Sequence, residues 1–362
     1  MNSTGFLTSV LLCVTSTALT AAICLCAPSV GRLMRVMDKP DGERKLHGTE
    51  TPLIGGLAIL VPTFAVSLLY CLAASKPTML LAVGAAALVL VIGLLDDRAG
   101  LSAEWRAMGV AGVIAILLAI DPLFILHTLS FQFFGWSAAL TFPNWLAVPF
   151  VVFMVLGFVN AVNMADGMNG QLLGSVMLWS TFIFHYLEAD LSLPFIILIC
   201  SSLVAFAFNL RGRLFAGSAG SYAASLFIGL GAIAAYRLSK GTMPAQVPVY
   251  WFWLPVMDCV RLMVSRALEG KSPFAADRKH FHHLLLNHMP SRYVLAVYLC
   301  LLAAPGIAAM LSLEAASITL IACIGGYLLF VVAELRQMKP ECQEETGAFA
   351  WRTETPRPKQ PG

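Results

Sequence analysis

The sequence predicts an all-α protein that crosses a membrane many times, and three observations carry that reading. Of 362 residues, 59% are hydrophobic and only 12% charged, with a mean hydropathy of +0.80, whereas soluble domains carry about 25% charged residues. Apolar runs of spanning length recur from end to end. The positive residues fall between those runs on one alternating side. The 23 Lys/Arg and 20 Asp/Glu are too few to cover so much apolar surface in water, which excludes secreted, disordered and cytosolic classes. The nine Cys lie mainly inside apolar runs with no CxxC, so they read as small buried hydrophobes and not as disulfides or a zinc site.

A helix needs roughly 17–25 apolar residues to cross hydrocarbon, and about eleven runs qualify: 8–30, 53–73, 79–95, 107–121, 145–162, 171–187, 193–208, 220–236, 248–266, 294–311 and 317–334. The first is followed, not preceded, by basic residues (Arg32, Arg35, Lys39, Arg44, Lys45), the wrong polarity for a cleaved signal peptide. The N-terminus is therefore expected outside. Alternation then leaves only Lys76, Arg237 and Lys240 of the 23 basic residues in outer loops and puts the C-terminus in the cytoplasm. The segment 122–144, with TLSFQFFGWSAALTFPNW, is expected to form a small interfacial hairpin. Residues 1–337 read as one membrane-embedded domain, and the Pro-rich polar stretch 338–362 as a disordered cytoplasmic tail.

Five polar clusters interrupt the apolar pattern, all on the expected cytoplasmic side. DKPDGERKLHGTETPLIGG (38–56) carries Arg44, Lys45 and His47; its basic residues suit a positive-inside anchor, and the free N–H groups of Gly55-Gly56 at a helix start suit an anion. LLDDR ends a long run with Asp96 and Asp97, adjacent carboxylates that need a cation, a proton or a shared Arg partner such as Arg98, or that simply cap the helix end at the water interface. NAVNMADGMNG holds Asn160 and Asn163, three apart on one helical face, then Asp166; the Gly and Asn residues suit a plain turn, the two helical Asn a hard cation such as Mg²⁺. RGRLFAGSAGS (211–221) suits either phosphate binding at a helix N-terminus or close packing of small residues. The last cluster, from Pro255 to His288, carries Arg278, Lys279, His280, His282, His283 and His288; the HxHH spacing lacks zinc-specific context, and neighbouring Arg and Lys favour an anion clamp. Asp258 and Arg261, three apart, read as a helical ion pair.

In this order the motifs resemble the polyprenyl-phosphate N-acetylhexosamine-1-phosphate transferase family, and within it the undecaprenyl-phosphate GlcNAc-1-phosphate branch, over roughly residues 30–335. The resemblance implies transfer of N-acetylhexosamine-1-phosphate from a UDP-sugar to undecaprenyl phosphate, with release of UMP, to start a cell-surface glycan such as O-antigen. It implies Mg²⁺ or Mn²⁺ as cofactor, a multi-pass protein of the bacterial inner membrane, and an active site facing the cytoplasm. No nucleic acid is expected as a partner, and a homodimer is left open. Residue by residue, it implies catalytic roles for Asp96, Asp97 and Asp166 and a metal role for Asn163. Substrate binding is implied for Arg44, Lys45, His47, Asn160, Arg278, His280, His282 and His283.

One position departs from the pattern. Where the family reads GDAGS with a metal-binding Asp, this chain has Gly217-Ser218-Ala219-Gly220-Ser221. Three readings follow: an inactivated protein with the same fold, charge supplied by another group, or a different mode of metal binding. A transporter or flippase is the competing class, and it would place ionisable residues at mid-membrane rather than at the inner helix ends.

Overall fold

The computed structural model describes residues 3–38, 50–272 and 279–337. Eleven long helices stand where the eleven apolar runs were expected: α1 (Ser3–Leu25), α3 (Gly55–Ala73), α4 (Pro77–Ala99), α5 (Ala103–Ile120), α6 (Asn144–Ala165), α7 (Gln171–Tyr186), α8 (Ala189–Asn209), α9 (Gly217–Leu238), α10 (Val247–Leu268), α12 (Ser291–Ala309) and α13 (Leu313–Gln337). Two short helices join them, α2 (Ala27–Met34) and α11 (Phe281–Leu286). The protein is thus a polytopic all-α membrane protein. Ten of the described helices are long and apolar enough to cross a membrane. The exception is α7, whose 16 residues reach about 24 Å at 1.5 Å per residue, short of an approximately 30 Å core.

Local chemistry sets the element ends. Pro77 starts α4, and Gly100 stops it with φ +63°, its N–H donating to the Asp96 carbonyl. The Ser102 hydroxyl then accepts from the Trp105 N–H at the start of α5. Pro62, Pro149, Pro194, Pro255 and Pro305 lie inside helices, as spanning helices tolerate when neighbours re-satisfy the backbone. Residues Thr128–Phe133 (β3) and Trp136–Thr141 (β4) pair antiparallel, from Thr128 opposite Thr141 to Phe133 opposite Trp136, so the hairpin expected in 122–144 is present. A smaller antiparallel pair, Met37–Asp38 (β1) with Thr51–Pro52 (β2), brackets the first polar cluster.

Helix α9 is the core. Every residue from Ala219 to Ala235 is buried, and α3, α4, α6 and α7 pack around it. Small side chains make this possible, because helices in lipid associate by close van der Waals packing. A Cβ on Gly56 would lie 2.1 Å from the Gly220 Cα, and one on Gly93 would lie 2.4 Å from the Ala219 Cα. The small residues of 211–221 therefore serve packing on the Gly220 side, one of the two readings open from sequence.

By contacts the described residues divide between Leu320 and Ile321, inside α13. The expected tail 338–362 lies outside the described residues, as do Arg44, Lys45, His47 and Arg278.

Candidate functional site

The polar clusters expected to act together converge at the ends of α4, α6, α9 and α10. Asp97, at the end of α4, meets the start of α9: its Oδ1 accepts from the Ser218 N–H at 2.8 Å and its Oδ2 from the Ala219 N–H at 3.0 Å. The carboxylate thereby satisfies two orphan donors and faces the positive end of the helix dipole. Gly217 makes room for it with φ +73°, since a Cβ there would lie 2.6 Å from Asp97 Oδ2.

Asp96 has different partners. Its Oδ2 pairs with Arg106 Nη1 at 3.0 Å, and its Oδ1 accepts from the Leu101 N–H at 3.0 Å. The two adjacent carboxylates thus need no shared ion, and the Arg partner is Arg106 on α5 rather than the neighbouring Arg98. This is a correction to sequence reasoning, which passed over Arg106.

Two anion sites suggested by free N–H groups are occupied by the protein itself. The Gly55 N–H donates to the Phe215 carbonyl at 2.7 Å and the Gly56 N–H to the Ala216 carbonyl at 2.9 Å. At α9 the Ser218 and Ala219 amides hold Asp97, not phosphate. Both anion readings fail because tertiary contacts consume the donors.

The third cluster folds against the fifth. Asn160 turns its amide back to the Leu156 carbonyl at 2.8 Å, while Asn163 Oδ1 accepts from the Ser221 hydroxyl at 2.7 Å. Asp166 follows α6, and burial pushes its carboxyl up to about 7; the Leu172 amide, which bonds to it, opposes the shift, and the charge on Asp97 adds to it. Gly167 lies directly under His282, where a Cβ would come within 2.1 Å of Nε2. Asn209, at the end of α8, ties the neighbouring loops by accepting from the Gly170 N–H and donating to the Leu214 carbonyl. Sequence reading missed it.

The histidines lie at the start of α11, packed against Asp258 of α10. The Asp258 carboxylate receives Arg261 Nη2 at 2.8 Å, His280 Nδ1 at 2.9 Å and the Phe281 N–H at 3.2 Å, while Arg261 also donates to the Lys279 carbonyl at 2.6 Å. Asp258 and Arg261 are therefore more than a helical pair. His280 and His282 stack with centroids 5.7 Å apart, and His283 lies 4.2 Å from His282. His282 is 1% exposed and its Nε2 has no hydrogen-bond partner. Burial, aided by the neighbouring histidines, lowers its pKa to about 3, so it is a neutral imidazole and not a basic one.

A cavity of about 440 Å³ opens among these groups, lined by Arg106, Asn160, Asn163, Arg266, His280, His282 and His283 with Glu104 and apolar neighbours. Arg266, only 3% exposed on α10, is a further lining residue the sequence reading did not single out. Two guanidiniums beside three imidazoles suit a ligand with phosphate oxygens. The divalent ion implied by resemblance fits less well. Among the described residues no group of three or more His, Cys, Asp or Glu could hold a metal. Both Asp97 oxygens and both Asp96 oxygens already accept bonds, and Ser218 contributes a neutral hydroxyl. These donors do not form a ready-made site for Mg²⁺ or Mn²⁺, which need carboxylates in near-octahedral geometry.

Residues 79–236 match Glycosyl transferase family 4. The chain is 30% identical over 283 residues to an undecaprenyl-phosphate alpha-N-acetylglucosaminyl 1-phosphate transferase of Escherichia coli (strain K12), covering 72% of each protein. It is 30% identical over 269 residues to the enzyme of the same name from Yersinia pestis, covering 70% of each. A probable undecaprenyl-phosphate N-acetylglucosaminyl 1-phosphate transferase of Bacillus subtilis (strain 168) is 28% identical over 273 residues, covering 73% of this chain and 74% of the relative. The chain therefore belongs to glycosyl transferase family 4 and, with these relatives, to its glycosyl-1-phosphate transferases.

Proposed function

We propose that the protein transfers an N-acetylhexosamine-1-phosphate, GlcNAc-1-phosphate by the names of its relatives, from a UDP-sugar to undecaprenyl phosphate. An oxygen of the lipid phosphate attacks the β-phosphorus of the UDP-sugar. The bond from that phosphorus to the bridging oxygen breaks, and UMP leaves with the bridging oxygen. An ionised lipid phosphate needs no base. The observation that carries the reading is the cavity lined by Arg106, Arg266 and the histidines, in which Arg106 is paired with Asp96. Cationic donors aimed at phosphate oxygens stabilise charge that builds in such a transfer.

In this proposal the N-terminus is outside, the cavity and C-terminus are cytoplasmic, and the membrane is a bacterial inner membrane, as the distribution of basic residues supports. The product starts a cell-surface glycan. Residues 1–337 form the membrane body. Arg44, Lys45, His47 and Arg278 join the substrate-binding set. Mg²⁺ or Mn²⁺, if it arrives bound to the nucleotide, would supply positive charge at the pyrophosphate. The deciding experiment incubates purified protein with UDP-GlcNAc, undecaprenyl phosphate and Mg²⁺ and measures UMP. UMP formation that depends on both substrates is expected; none over a range of UDP-sugars defeats the reading. Parallel reactions with UDP-GalNAc and UDP-MurNAc-pentapeptide identify the sugar.

One observation favours a second reading, in which the ligands bind without turnover: the neutral Ser218 beside Asp97. UDP-sugar binding without UMP release would select it.

A further inference from the structure

A histidine that holds a ligand must present the correct ring nitrogen in the correct protonation state, and the group bonded to its other nitrogen decides both. His280 lines the cavity, and its Nδ1 lies 2.9 Å from Asp258 Oδ2. The Asp258 side chain is 4% exposed and also accepts from Arg261 Nη2 and from the Phe281 N–H. A carboxylate receiving a guanidinium and a backbone donor is ionised and can only accept. Nδ1 of His280 must therefore carry a proton, and Nε2 is the nitrogen left for a ligand. Neutral His280 offers Nε2 as an acceptor. On taking a second proton it becomes an imidazolium paired with Asp258, able to donate Nε2–H to a phosphate oxygen.

The same carboxylate sets where the histidine segment begins. By receiving the Phe281 N–H it binds the first residue of α11, while Arg261, locked to Asp258, also holds the Lys279 carbonyl. Two residues one helical turn apart on α10 thus grip both sides of His280. Its stacked neighbour His282 cannot substitute, because that ring is buried, neutral and pressed on Gly167.

We propose that Asp258 is a positioning residue of the cavity: it fixes the Nδ1–H tautomer and the orientation of His280, so that Nε2 meets the phosphate of the ligand. The identity of that ligand rests on the proposed function, but the tautomer does not.

The first test needs no substrate. Nitrogen-15 spectra of histidine-labelled protein at pH 8, with His280 assigned by its loss in His280→Ala, are expected to show a protonated Nδ1 and an unprotonated Nε2. The opposite tautomer, or a mixture, in the parent protein overturns the proposal without touching the transferase reading. The second test measures binding of UDP-GlcNAc to Asp258→Asn, Asp258→Glu, His280→Ala and the double variant Asp258→Asn/His280→Ala. A charge-assisted hydrogen bond carries enough energy that Asp258→Asn is expected to weaken binding about tenfold. Asp258→Glu should recover part of the loss. The double variant should bind like His280→Ala alone, because Asp258 acts through His280. Additive losses mean that Asp258 serves only the fold and overturn the proposal. Failure of the parent to bind any UDP-sugar defeats the functional reading instead, and the tautomer measurement then decides the proposal alone.

Discussion

Asp97 of α4 caps α9 through Ser218, 121 residues away, with a 2.8 Å bond from the Ser218 N–H to Oδ1. The residue that departs from the family pattern is thus the one whose backbone holds the second aspartate of the pair. A carboxylate at position 218 would stand beside Asp97 and require a cation between them; a serine leaves Asp97 satisfied by two amides.

Ser218→Asp should therefore create affinity for a hard cation. Adding an anionic oxygen ligand is expected to tighten Mn²⁺ binding by about tenfold or more, read by electron paramagnetic resonance of free Mn²⁺. UMP formation at low Mg²⁺ should rise in the same variant. Equal Mn²⁺ affinity and equal turnover in both proteins would show that position 218 is not a metal position.

Asp97→Asn keeps the size of the side chain but removes its charge and one acceptor. Losing one of its two bonds to backbone amides costs about 1–3 kcal/mol of stability, a modest shift in thermal midpoint. Turnover should fall far more than folded yield. Parent-like activity at matched stability in detergent would remove Asp97 from the catalytic set.

The two histidines next to His280 should separate. His283 is half-buried on the cavity wall, so His283→Ala should weaken UDP-sugar binding with little change in melting temperature. From sequence alone the same outcome is expected of His282. Its 1% exposure overturns that expectation, because removing a packed ring leaves a hole, and His282→Ala should lower the melting temperature clearly.

Acid should act through His282. Its folded pKa of about 3 lies below the ordinary value of 6.5, so the unfolded chain binds its proton first. The stability linked to the neutral ring is complete above pH 6.5 and is lost as pH falls from 6.5 toward 3. The melting temperature of the parent should drop across that window more steeply than that of His282→Gln. Parallel curves would show that the ring is not held neutral.

Gly56→Ala tests the packing that sets the site. The added Cβ would press on the Gly220 backbone, and overpacking of this kind costs about 1–3 kcal/mol. Both thermal stability and turnover should fall, because α3 is bonded to the segment leading into α9. Unchanged values would mean that the two helices separate freely.

Hydropathy and the spacing of apolar runs were enough to specify the solvent and most of the architecture. A lipid surround leaves local hydropathy as the dominant signal, so eleven runs became eleven helices and TLSFQFFGWSAALT became a hairpin. The sequence also singled out Asp96, Asp97, Asn163, Asp166 and the histidines as candidates, because ionisable or amide groups at the end of an apolar run stand out against their neighbours. Only the tertiary structure decided what those groups do to one another. The amides of Gly55, Gly56, Ser218 and Ala219 look free in sequence, yet each is consumed by a partner more than a hundred residues distant. Arg106 resembles any positive charge at a helix start until Asp96 is beside it, and Asp258 resembles half of a helical pair until His280 folds back onto it. Hydrogen bonds and burial depend on separations in space, and single-sequence patterns encode only separations along the chain.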